Sequence, residues 1–316
     1  MTEVTWSTAW RRSAREFWAR TTPGDHFATS AGDVLADAMA EVVRAVDDRL
    51  GAPADFTVID IGAADGAFLA SVRERCAELA NRARWVAVDV REGFVPGVEG
   101  VAAEMPDDVP GTPIRGVVMA HEWLDEIPVD IVERDADGLD RLVLVGTAGA
   151  ERLGPSLDDE VACARAGVDA AATREWVRRW WPLRDPGDRA EVGLARDAAW
   201  SWMTGLVRQG LALAVDYGHC RPERLDALRG GTLTGYRGGR VVAPVPDGTV
   251  GITAHVAVDA CQAAVPRTTL TWQRDELASA SLPDRASPAD VERYFAAQRL
   301  RQTAGLGGFA WLRWEA

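Results

Sequence analysis

The stretch Phe56-Thr57-Val58-Ile59-Asp60-Ile61-Gly62-Ala63-Ala64-Asp65-Gly66, followed by a helical pattern from Ala67 to Asn81, decides the fold. Phe56 to Asp60 is a short β-branched run of the kind buried in a parallel sheet, Gly62 to Gly66 is a glycine turn, and the three pieces make one βα unit. Working outward, Trp85 to Asp89 predicts a second strand ending on an acid, Val101 to Ala103 a third, and Gly116 to Ala120 a fourth that runs into His121-Glu122-Trp123-Leu124-Asp125. Leu211 to Val215 predicts a buried fifth strand, ending in Asp216-Tyr217-Gly218-His219, and Val250 to Val258 a sixth. This alternation is the signature of the α/β class: a doubly wound, mostly parallel sheet with helices on both faces.

Around that core, Ser7 to Ala19 and Ala31 to Leu50 predict two helices, the second with Val34, Leu35, Ala38, Val42 and Val46 on one face. After Pro128 the pattern changes. Asp130 to Arg134, an Asp137-Gly138 turn and Arg141 to Val145 predict a β-hairpin. Two helices are predicted next: Ala171 to Trp181, and Ala190 to Gln209 with Leu194, Ala198, Trp202 and Leu206 on its apolar face. The expected organisation is an N-terminal helical cap (1–54), a Rossmann-like cofactor-binding core (55–128 and 210–263), an insert covering the substrate site (129–209) and a C-terminal completion of the sheet (264–316).

Composition narrows the chemistry. The 316 residues are 47% hydrophobic and 26% charged, enough for a sizeable core, and 35 basic against 48 acidic residues leave a net charge of −13. Such a field repels phosphate backbones and anionic lipid, so neither nucleic acid nor membrane is an expected partner. Every basic residue is Arg, which excludes a Schiff-base lysine, a pyridoxal site and a P-loop lysine. Cys76, Cys163, Cys220 and Cys261 lie far apart with no Cys-x-x-Cys, so no disulfide framework or zinc knuckle is expected, nor any other metal site. With no targeting segment or long apolar stretch, the expected location is the cytoplasm.

In a doubly wound sheet a ligand lies at the C-terminal ends of the strands, where the strand order reverses. A dinucleotide turn offers bare N–H groups to a pyrophosphate, whereas this turn carries Asp60 and Asp65, which oppose phosphate and favour a cation. S-adenosyl-L-methionine has no phosphate and brings an ammonium and a sulfonium. Asp60 suits those charges, Gly62 and Gly66 allow close approach beside Ala63, and Asp89, with Val90 next to it, is placed to accept from both ribose hydroxyls. His26, Thr29 and Ser30 are candidates for the cofactor's carboxylate end. Methyl transfer needs a nucleophile aligned and deprotonated, and His121, Glu122 and Asp125 are the candidate catalytic residues. Glu122 and Asp125 could hold a guanidinium, while His121 is the better base for a hydroxyl or carboxyl acceptor. For His219 and His255 a structural hydrogen bond is the expectation.

At these residues the chain resembles the MidA-type family of adenosylmethionine-dependent methyltransferases, relatives of the mitochondrial arginine methyltransferase needed for complex I assembly. Gly24 to Ser30, Asp60 to Gly66, His121 to Pro128, Ala214 to His219, Gly231 to Tyr236 and Thr253 to Val256 are similar to six family motifs in one order. The resemblance implies a class I methyltransferase fold and protein arginine as one substrate. The chain departs where the family has Asn and this sequence has His121, and where Ala64 and Asp60 replace a Gly and a Glu. A methyl acceptor, protein arginine or another N or O nucleophile, is therefore the implied partner. A small-molecule O- or N-methyltransferase and a non-catalytic adenosylmethionine-binding assembly factor stay open, as does oligomerisation.

Overall fold

A computed structural model describes residues 3–21, 31–103, 109, 111–278, 280–283, 290–303 and 305–316. The chain divides into two compact units, Met1–Phe27 with Asp125–Ala199 and His219–Ala264, and Ala28–Leu124 with Trp200–Gly218 and Val265–Ala316.

The second unit is built on strands β2 (Phe56–Ile61), β3 (Arg84–Asp89), β4 (Glu99–Ala102), β5 (Ile114–His121), β10 (Val207–His219), β15 (Thr269–Trp272) and β16 (Phe309–Glu315). Their order across the sheet is β15-β16-β10-β5-β2-β3-β4. The five strands from β4 to β10 pair in parallel, and β16 runs antiparallel to both β10 and β15. The chain steps outward from β2 through β3 to β4, returns to the other side of β2 as β5, and continues to β10. The order therefore reverses between β2 and β5. Phe56 and Val58 of β2 and Leu211, Leu213 and Val215 of β10 share one apolar core with helices α2 (Asp33–Arg49) and α3 (Ala67–Arg75), which contribute Leu35, Met39, Val43, Leu69 and Val72. Helices α9 (Gln273–Glu276) and α10 (Val291–Arg301) lie between β15 and β16 in the chain.

The first unit carries an antiparallel sheet in which β1 (Val4–Thr5), β7 (Asp140–Val145), β6 (Asp130–Arg134) and β9 (Arg189–Val192) are neighbours and β8 (Glu151–Ser156) pairs with β7. The Asp137-Gly138 turn joins β6 to β7, with Gly138 at φ 81°. Successive strand residues face opposite cores. Ile131, Val143 and Val145 meet Trp6 and Trp10 of α1 (Trp6–Trp18), whereas Val132, Leu142 and Ala190 pack with Cys163 of α4 (Glu160–Arg165) and with Trp176 and Val177 of α5 (Ala170–Trp180). Asp159 and Asp169 cap α4 and α5 through Ala162 and Ala172 N–H groups, each at 3.0 Å.

Two expectations change. Ala190 to Gln209 is not one helix: Ala190 lies in β9, paired with β6, and α6 (Leu194–Gly205) starts beyond Gly193. Its buried face is Arg196, Ala199, Trp200 and Met203, while Leu194 and Ala198 are exposed. The span from Val250 to Val258 is broken as well. β13 (Gly251–Thr253) joins β11 (Thr234–Arg237) and β12 (Arg240–Val242) in a separate three-stranded sheet, and β14 (Val256–Ala257) leads into α8 (Val258–Ala264). Helix α7 (Arg221–Asp226) follows β10.

Candidate active site

The βα turn leaves β2 at the reversal of strand order. Gly62 and Ala63 N–H groups donate to the Val88 carbonyl at 2.9 and 3.0 Å, tying the turn to the end of β3. Gly62 and Gly66 adopt φ of 71° and 80°. A Cβ at Gly62 would come within 2.6 Å of Trp123 Cδ1, so that position needs glycine for space as well as for conformation. Ala64 also has a positive φ, 54°, so alanine is strained where the family has glycine.

Carboxylates gather around this turn. Asp60, at the end of β2, is 3% exposed, and burial, then the charge of Asp89, push its pKa up to about 8. Asp89 Oδ2 accepts from the Ala64 N–H at 2.8 Å, and Oδ1 accepts from the Arg91 main chain at 3.1 Å and from its Nε at 3.2 Å. A carboxylate has about four lone-pair sites, so these bonds leave Asp89 able to accept more. Val90 beside it is apolar and 46% exposed.

Strand β5 delivers His121 next to β2: Ala120 pairs with Ile61, and His121 with Val215 of β10. Burial lowers the His121 pKa, with the Glu122 charge acting in the opposite sense from 3.6 Å. The imidazole is therefore held toward its neutral form. Its ring lies 5.7 Å from Phe68 and 6.3 Å from Phe309, and Phe309 faces Tyr217 across the antiparallel β10–β16 ladder. Glu122 has φ 50°, a strained conformation, and its N–H donates to the Val215 carbonyl at 2.9 Å.

The second unit thus contains Asp60, Gly62, Ala63, Gly66, Asp89, Val90, His121 and Glu122. Asp125 falls in the first unit, buried, and its carbonyl accepts from the Ala254 N–H at 3.1 Å and from Arg196 Nη2 at 2.8 Å. His26, Thr29 and Ser30 lie outside the described residues. Phe68 and Phe309 were not anticipated. Their only sequence signal is indirect, one in the first turn after the glycine loop and the other opening the last strand.

These residues fit a phosphate-free, cationic nucleoside. The turn presents carboxylates rather than a pyrophosphate cradle, Asp60 is buried with no arginine paired to it among the described residues, and Val90 offers an apolar face beside the acid that would meet a ribose. Residues 34–274 match a family model described as "Putative S-adenosyl-L-methionine-dependent methyltransferase". The chain belongs to this family. It is the MidA-type family, whose members are methyltransferases with S-adenosyl-L-methionine as cofactor.

Two solved structures from Burkholderia thailandensis share the fold of this methyltransferase. One, a COG1565 superfamily member bound to S-adenosyl-homocysteine, is 23% identical with a TM-score of 0.70, covering 99% of this chain and 88% of that one. The other, an uncharacterized protein of the same superfamily, is 22% identical with a TM-score of 0.72, covering 99% of this chain and 87% of that one. No curated protein matches the chain. Among the described residues no helix is long and apolar enough to cross a membrane.

Proposed function

We propose that the chain binds S-adenosyl-L-methionine in the class I manner, across the ends of β2, β3 and β5, and moves its methyl group to a nitrogen or oxygen nucleophile. The observation that carries this reading is the brace between the glycine turn and Asp89, with a buried Asp60 behind it, at the reversal of strand order. Asp89 would accept from the ribose hydroxyls, Val90 would lie against the base, and Gly62 and Gly66 let the main chain approach the cofactor. The bound cofactor supplies an electrophilic sulfonium methyl. That positive charge would favour loss of the Asp60 proton, and the resulting carboxylate would offset it, while the Phe68, Tyr217 and Phe309 rings would keep water from the His121 side.

His121 Nδ1 or Nε2 would take the proton from the acceptor, with Glu122 steadying the imidazolium that results. A neutral, buried imidazole favours an acceptor that must lose a proton on attack, such as a hydroxyl or an amine, on a small molecule or on a protein. A guanidinium held by Glu122 is the protein-arginine version of the same step.

Incubating the purified protein with methyl-labelled cofactor and a fractionated cell extract tests both versions. Label in a protein band supports the protein substrate, and label in a small product supports the small-molecule substrate. Tight cofactor binding with label in neither fraction would overturn transfer altogether and leave a cofactor-binding assembly factor. The variant His121→Asn, which restores the family's residue, should slow transfer to a hydroxyl acceptor at least tenfold and spare transfer to a guanidinium.

A further inference from the structure

A further group of titratable side chains lies in the first unit. His219, the last residue of β10, is 3% exposed, and its Nδ1 lies 3.1 Å from Arg224 Nη1. A guanidinium only donates, so Nδ1 accepts and the ring proton sits on Nε2. Arg224 is immobilised: Nε donates to the Trp180 carbonyl at 2.9 Å, Nη1 also to the His219 carbonyl at 3.1 Å, and Nη2 to Asp259 at 2.8 Å, with no side-chain exposure. The edge-on Trp181 ring, 4.9 Å away, fixes the imidazole plane. The result is an oriented, buried Nε2–H with no hydrogen-bond partner among the described residues. Such a donor is costly to bury unanswered.

A second histidine lies beside it. The His255 ring centre is 6.1 Å from that of His219, and His255 is exposed. The His255 main-chain N–H donates to Thr232 Oγ1 at 2.8 Å, and Thr232 is anchored in turn on the buried Glu191 through its own N–H and hydroxyl. The cations nearest the two rings are Arg224, which is paired with Asp259, and Arg196. Arg196 Nη1 donates to the Ala254 and His255 carbonyls at 3.0 and 2.9 Å, and the Glu191 and Asp197 side chains interact with its charge. Burial, Arg224, His255 and Arg196 all depress the His219 pKa, to about 2, and burial and Arg196 depress that of His255. Both rings are neutral at physiological pH, so they add no charge of their own to the field of the two arginines.

We propose that His219 and His255 form a recognition site for a carboxylate group, with the His219 Nε2–H as its fixed donor. A carboxylate oxygen matches one oriented, unanswered N–H with Arg224 and Arg196 close by. A phosphate dianion calls for a guanidinium fork aimed at it, and both arginines here are turned to main-chain carbonyls and Asp259. The site stands whether or not its ligand is the methyl acceptor.

The test uses the whole protein labelled with 15N-histidine, titrated with acetate at pH 7.5 and followed by NMR. His219 should appear as the Nε2–H tautomer, and acetate should move its Nε2–H proton downfield with saturation at millimolar concentration, shifting the His255 ring in parallel. In His219→Phe, which keeps a ring against Trp181, the His255 shift should disappear. In His255→Ala, acetate should bind at least threefold more weakly at His219. Unchanged binding of S-adenosyl-L-homocysteine certifies that each variant is folded, and is independent of the outcome with acetate. Acetyl-trialanine in place of acetate separates carriers: an equal shift admits a peptide terminus, and a shift with acetate alone confines the site to small acids. An Nδ1–H tautomer, or a His219 signal unmoved by either carboxylate, would overturn the proposal.

Discussion

The main-chain N–H of Ala64 donates to Oδ2 of Asp89 at 2.8 Å, so the glycine turn after β2 and the acid ending β3 are held as one piece. The same carboxylate that shapes the turn is the one proposed to meet the ribose. Geometry and binding are therefore coupled at a single side chain.

Replacing it separates the two roles poorly, but the direction is clear. Asp89→Ala removes the brace and the ribose contacts together, and hydrogen bonds to a charged group contribute about 1.5–3 kcal/mol each. Calorimetric affinity for S-adenosyl-L-homocysteine should fall by about tenfold or more. Unaltered affinity would remove Asp89 from the cofactor site.

Ala64 gives an opposite expectation. At φ 54° an alanine pays about 1–2 kcal/mol that glycine does not, against about 0.5–1 kcal/mol of extra chain entropy lost by glycine. Ala64→Gly should leave stability unchanged or raise it by about 1 kcal/mol, read from urea unfolding, with cofactor affinity retained. Destabilisation by this substitution would contradict the left-handed turn.

Gly62 tolerates no side chain. Gly62→Ala brings a Cβ within 2.6 Å of Trp123 Cδ1 at φ 71°, and the combined clash and strain should cost about 2 kcal/mol or more. Adding Trp123→Ala should recover part of that loss in thermal unfolding, because it relieves the clash and leaves the φ penalty.

Asp60 links stability to pH. Its pKa in the folded chain, about 8, exceeds the unfolded 3.8, so between these values the folded state holds a proton that the unfolded state has released. The stability this proton confers is fully present below about pH 4 and is lost as pH rises through about 8. Asp60→Asn should flatten that decline in denaturant titrations from pH 5 to pH 8. An identical slope in the variant would show that Asp60 titrates normally.

Arg196 is the keystone of the first unit. It is 2% exposed and donates to the carbonyls of Asp125, Ile127, Ala254 and His255 at 2.8 to 3.2 Å. Arg196→Met strands those acceptors and should destabilise by about 3 kcal/mol or more. Arg196→Lys, with one ammonium for three nitrogens, should recover only a minor share in the same urea titration.

What could be read in the sequence follows from how local its cause is. The turn from Asp60 to Gly66 was legible because strand, glycine and helix are contiguous, and so was the Asp137-Gly138 hairpin. The His121 surroundings were not, because Phe68 and Phe309 reach it only through the parallel register of β2 with β5 and the antiparallel register of β10 with β16. Helix α6 was misread for a different reason. Hydrophobic periodicity assumes that charges face water, and here four carbonyls satisfy Arg196 inside, which turns Leu194 and Ala198 outward. The Ala64 conformation was equally hidden, since alanine normally reports a negative φ.

The most direct measurement is a calorimetric titration of the purified protein with S-adenosyl-L-homocysteine and, separately, with NADH. Saturable binding of the first at one site, weakened in Asp89→Ala, with no heat from the second, is the predicted result. Binding of NADH instead would contradict a pocket built from Asp60 and Asp89 for a nucleoside without phosphate.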